Sequence, residues 1–249
     1  MNDTRRDILS RVASGTLSPQ QAALELQELE AAGEAPPAST GAEPRLSRVR
    51  VVNSMGRVDV IGDESVKEAL AVGPHIARRE GDVLVIESDD ERGGFIFSGG
   101  VRFGFDGERK LSIRMNPALP LEAEIKAGSL RVRGLRAPIK ANVQAGSTRI
   151  DDFTEAIDLS VHAGSVHARG RLLSGSSHIH CQAGSVKLDL EPGSNVTIKA
   201  RTSLGRINLP DVPVVAGLGG GTATCRLGTG DASLEIEAEM GSVSVGVTA

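Results

Sequence analysis

Four Ala-Gly-Ser triplets, centred on Gly128, Gly146, Gly164 and Gly184, recur along the second half of the chain at a nearly constant step. Self-similarity at a fixed period marks a repeated structural unit. Gly241, in Met-Gly-Ser, follows Gly184 at a distance that accommodates three further steps of the same size. The two intervening units, RTSLGRINL (201–209) and GGGTATCRL (219–227), are degenerate versions. Before each glycine, alternate residues are apolar: Ala123, Ile125 and Ala127; Ala141, Val143 and Ala145; Leu159, Val161 and Ala163; Ile179, Cys181 and Ala183. After each Gly-Ser the alternation resumes with Leu130 and Val132, Thr148 and Ile150, Val166 and Ala168, Val186 and Leu188. Period-2 alternation on both sides of a glycine reads as strand, turn, strand. The alanine before each glycine is expected on the inside of a tight corner.

No helical pattern of about 12 residues separates these strands, so βαβ crossovers cannot build a parallel sheet here. Coiling the chain can. The expected fold is all-β: a parallel β-solenoid of roughly seven rungs over 121–249, stacked about 4.8 Å apart around a narrow aliphatic core. Residues 46–120 read as the N-terminal part of the same β domain, opening with two strands around Gly56 in LSRVRVVNSMGRVDVIGD.

Residues 1–31 have a different period. Ile8, Leu9 and Val12 recur at helical spacing and stop at Gly15. Ser18, Pro19 and Gln21 supply the cap, first-turn proline and capping-box partner of a second helix, with Ala22, Leu26 and Leu29 as its apolar stripe. Each helix is about three turns long and needs a surface to bury that stripe. The hairpin is therefore expected to serve oligomerisation or partner binding. Residues 32–45 (AGEAPPASTGAEPR) read as a flexible linker.

Composition narrows the function classes. The 249 residues carry a net charge of −4, with five Phe and neither Tyr nor Trp. A general nucleic-acid binder would show a basic balance and stacking aromatics. Two cysteines make no disulfide framework, and the N-terminal segment has no apolar core of a secretion signal. The expected compartment is the cytoplasm, with peripheral contact to an anionic membrane as a second reading.

The order VVNSMGRVDVIGD, then KLSIRMNPALPLEAEIKAGSLRVRG, then repeated AGS turns resembles the bacterial putative-adhesin β-strand-repeat family, a group of unknown molecular function. The stretch RRDILSRVASGTLSPQQAALELQELE resembles SHOCT-like helical hairpins. The resemblance implies a β-repeat domain beside an interaction hairpin, in a setting of cell-envelope stress signalling, with no catalytic signature to transfer.

Candidate chemistry is sparse. Arg131, Arg149, His167 and Lys187 are expected in one outward column, extended by Arg206, as an anion-binding face. Asp151 and Asp189 in the next column would screen it. His178 and His180 share an outward face with Asp158 and Ser160 beside them, and are read as solvent-facing polar groups, not metal ligands. Ser129, Ser147, Ser165 and Ser185 form a ladder expected to bond the backbone at turns. Cys181 is expected in the core. Phe95, Phe97, Phe103 and Phe105 are expected on one face of a hairpin around Ser98-Gly99-Gly100, either capping the core or contacting a partner. Asp89, Asp90 and Glu91, the one dense acidic group, fall in an expected turn. The C-terminal VSVGVTA is expected as an uncovered last rung, an edge open to end-to-end pairing as in the bactofilins.

The resulting expectation is a non-catalytic, cofactor-free scaffold that binds a protein partner or itself, with a self-assembling bactofilin-like filament as the alternative.

Overall fold

The computed structural model describes residues 46–89, 95–96, 102–103, 110–217 and 220–248. They lie in one unit spanning Leu46–Ala249. The two-helix reading of 1–31 and the linker 32–45 lie outside the described residues.

The strands are β1 (Arg48–Gly62), β2 (Ala69–Val72), β3 (His75–Glu80), β4 (Val83–Ser88), β5 (Phe95–Ile96), β6 (Arg102–Phe103), β7 (Lys110–Met115) and β8 (Leu121–Arg133). There follow β9 (Ile139–Phe153), β10 (Ile157–Gly170), β11 (Ser176–Leu190), β12 (Val196–Asn208), β13 (Val215–Gly217), β14 (Gly221–Leu227) and β15 (Ala232–Val247). No helix occurs among the described residues. All strands except β5 and β6 join one mostly parallel sheet, whose path is open at both ends.

The repeat is the register of that sheet. Gly128, Gly146, Gly164 and Gly184 pair in succession across β8, β9, β10 and β11, and Gly56 of β1 joins at Gly128. Strand, turn, strand proves to be one continuous strand through each glycine, from β8 to β12 and again in β15. The buried positions nevertheless change parity there. Leu121, Ala123 and Ile125 are buried before Gly128, Leu130 and Val132 after it. Successive strand residues face opposite sides, so the skipped step turns both halves of the strand toward one core. Gly128, Gly146 and Gly164 all hold positive φ, between 136° and 149°, where a side chain would be strained.

The corner alanines are not inside. Ala145 and Ala163 are exposed, Ala127 and Ala183 half-buried. The same column continues into Met55, Met240 and Leu204, which are 54%, 52% and 42% exposed. The parity change carries the residue before each glycine to the outer side of the bend.

The order after β11 also differs from a simple succession of rungs. β15 pairs in parallel with β11 (Gly184↔Gly241) and with β12 (Gly205↔Gly241). The C-terminal strand is therefore hydrogen-bonded along both edges, not left as an uncovered last rung. β14 runs antiparallel to the first half of β12 and β13 antiparallel to its second half. The seven-residue β14 is too short to make a bent unit, whereas the sixteen-residue β15 has a full one with Gly241 at its corner. At the other end β4 and β7 each take half of β1 in parallel, and β3 and β2 add antiparallel edges.

Phe153, the fifth phenylalanine, is the largest fully buried side chain among the described residues. A Cβ on Gly170 would collide with its ring, and the extra residue Asp152, at φ 61°, bulges β9 beside it. Cys181 lies in the core column with Ile125, Val143 and Val161, as expected. Burial raises its thiol pKa, and that of Cys225 is raised by burial and by the charge of Asp211. Both cysteines are free.

Candidate anion-binding face

Beyond each glycine, odd-numbered residues of β8 and β9 point outward because their even-numbered neighbours fill the core. This places Arg131, Arg149, His167 and Lys187 in strict register across β8 to β11. The column continues to Asp59 of β1 on one side and Ser244 of β15 on the other. Arg206 is not part of it. It directly follows Gly205 and aligns with Ser242, in the serine ladder. That ladder runs Ser129, Ser147, Ser165, Ser185 and Ser242. No hydrogen bond holds these hydroxyls among the described residues, so they do not serve as turn-bonding groups. They stand at the surface beside the corner.

Most of the cationic column is neutralised by its neighbour. Arg149 pairs with Asp151 at 3.1 Å. Asp189 takes both His167 Nε2, at 2.8 Å, and Lys187 Nζ, at 3.4 Å. Burial alone would raise the Asp189 carboxyl; hydrogen bonds from His167 and Lys187, with their charge, hold it below the ordinary aspartate value. Such half-exposed pairs each contribute little to stability, but they remove free positive charge from the column. Arg131 is the exception: no carboxylate pairs with it among the described residues.

On the other half of the strands, His178 aligns with Asp158 and His180 with Ser160, as the repeat predicts. The structure adds carboxylates that the sequence did not place there. His178 aligns with Glu235, and His180 stands 3.6 Å from Glu237 and 3.8 Å from Glu239, all from β15. No group of three or more His, Cys, Asp or Glu is arranged to hold a metal ion among the described residues.

Phe95 of β5 pairs with Phe103 of β6 in an antiparallel register, the pairing that a loop at Ser98-Gly99-Gly100 requires. Phe97 and Phe105 lie outside the described residues, as do Asp90 and Glu91, and so do the hairpin positions Ile8, Leu9, Val12, Leu26 and Leu29.

No family model matches the chain, and no curated protein matches it. Among solved structures, a protein described as a putative cell adhesion protein from Clostridium sporogenes is similar over 83% of this chain and 96% of that chain. The identity is 16% and the TM-score 0.44.

Proposed function

We propose that this chain is a non-catalytic β-solenoid scaffold of the bacterial cytoplasm, acting in cell-envelope stress signalling or assembly. The observation that carries the reading is the aligned glycine column. Gly56, Gly128, Gly146, Gly164, Gly184, Gly241 and Gly205 stack in register across seven neighbouring strands. Each strand then repeats the bend of the one before it, and outward side chains fall into straight columns about 4.8 Å apart. Coiling is the economical way to connect such parallel strands without helices. A rigid body of that kind presents surfaces well, and its outer columns are mostly occupied in pairing with one another. On this reading the SHOCT-like hairpin at 1–31, tethered by 32–45, recruits the partner through Ile8, Leu9, Val12, Leu26 and Leu29, and the resemblance to the adhesin-type repeat family supplies the envelope setting.

The test is affinity capture with the whole chain and with residues 1–45 deleted. The proposal expects a specific protein retained by the whole chain and lost on deletion, with the circular dichroism of the β domain unchanged. Equal retention by both forms would contradict it.

A further inference from the structure

Three neighbouring strands, β7, β1 and β8, enclose a cleft of about 270 Å³ on the outer face beyond the glycine column. Taking about 30 Å³ per water, it holds roughly nine. Arg57, Lys110, Arg131 and Arg133 line it, with Asp59 as the single carboxylate. This excess of positive charge sits on a chain whose net charge is −4.

The cations here are handled unlike those farther along the same face. There, Arg149 has Asp151, and both His167 and Lys187 have Asp189. In the cleft, Lys110 takes Asp59 Oδ2 at 3.1 Å. Arg57, Arg131 and Arg133 have no ion pair among the described residues. Arg57 and Arg131 are half-buried, and Arg57 stands in register beside Lys110. Like charges on adjacent strands repel, and partly removing them from water raises that cost. An anion between the guanidinium groups relieves both effects. Guanidinium forks match the oxygens of phosphate in pairs, with geometry an ammonium lacks.

Asp59 is kept out of the ligand's way: its side chain is only 15% exposed, Lys110 Nζ holds Oδ2, and Oδ1 is buried.

We propose that this cleft binds a phosphate group, free or as the terminal monoester of a lipid headgroup. Arg57, Arg131 and Arg133 hold its oxygens, and Lys110 pairs with Asp59. The site stands apart from the scaffold reading, because deletion of residues 1–45 touches none of these side chains.

The experiment is calorimetric titration of the full chain with inorganic phosphate at neutral pH. Sodium sulfate and sodium chloride at matched ionic strength serve as comparisons. Saturable phosphate binding is expected, with sulfate competing for the same guanidinium groups and no binding of chloride. Arg57→Gln and Arg131→Gln should each weaken phosphate at least tenfold. Arg133→Gln, at an exposed position, tests the site with least risk to folding. Lys199→Gln, at a pair with Glu235 elsewhere, should change nothing. Flotation with phosphatidic acid vesicles, competed by phosphate, assigns a lipid source. Phosphate binding without flotation assigns a free one, and both support the site. Absence of saturable binding, equal affinity for chloride, or binding unchanged in both Arg57→Gln and Arg133→Gln would overturn it.

Discussion

A Cβ on Gly164 would fall 1.7 Å from the backbone oxygen of Gly146. The same relationship links Gly146 to Gly128, Gly184 to Gly164 and Gly241 to Gly184. Each bend is therefore pressed against the backbone of the next, with no room for even a methyl group. Gly164 also has a φ of 149°. Gly164→Ala should cost at least about 3 kcal/mol, in the range of severe core damage. Gly134→Ala is the matched comparison: φ is 66° and the space around it is open, so backbone conformation alone should cost about 1–2 kcal/mol. Urea denaturation of the two variants checks this. Equal losses would mean that conformation, not close stacking, sets the requirement.

Thr148 occupies a core position between Leu130 and Val166. It is 1% exposed, and its Oγ1 has no hydrogen-bond partner. The hydroxyl has lost water and gained nothing in return. Thr148→Val keeps the shape and removes that penalty, so it should raise stability by about 1 kcal/mol. Denaturation midpoints measure the gain; a loss would show that a buried water or a shifted rotamer satisfies the hydroxyl.

Asp189 links pH to folding. Its carboxyl pKa is lowered in the folded chain, so the unfolded state takes up a proton first as pH falls. The stability it contributes is fully present above the unfolded value, near about 3.9, and disappears as pH drops through the lowered folded value. Asp189→Asn should therefore destabilise at neutral pH and approach the wild type in stability below about pH 4. Because the group is partly exposed, the difference should be small and reduced by salt. A difference that stays constant across this range would show that Asp189 acts through packing instead.

The repeat made much of this sheet legible. Its nearly constant step correctly aligned Arg131 with Arg149, His167 and Lys187, because register between consecutive units is a local property. The position of β15 was hidden for the converse reason. The separation of Gly241 from Gly184 divides evenly into three such steps, and consecutive elements usually lie side by side. Nothing in the spacing shows that β14 turns back antiparallel and leaves β15 to enter beside β11. The carboxylates near His180 were missed with it. Ala163 reads as inward because the alternation Leu159, Val161, Ala163 runs right up to the glycine, whereas the last inward residue before the bend is Val161. The cleft at Arg57 had a readable signal: Gly56 aligns with Gly128, which places Arg57 and Asp59 beside Ser129 and Arg131. Lys110 had none, since it reaches β1 through a separate strand.

The central claim is a parallel stack registered on its glycines, with the C-terminal strand inside it. Paired cysteines test this most directly, since partners on adjacent strands fall within the Cα spacing of about 4.4–6.8 Å that a disulfide requires. In a background with Cys181→Ser and Cys225→Ser, the pair Ser185→Cys and Ser242→Cys should cross-link under mild oxidation, being in register on neighbouring β11 and β15. The pair Ser185→Cys and Arg206→Cys should not, because β15 separates the two strands. Cross-linking of the second pair without the first would contradict the account.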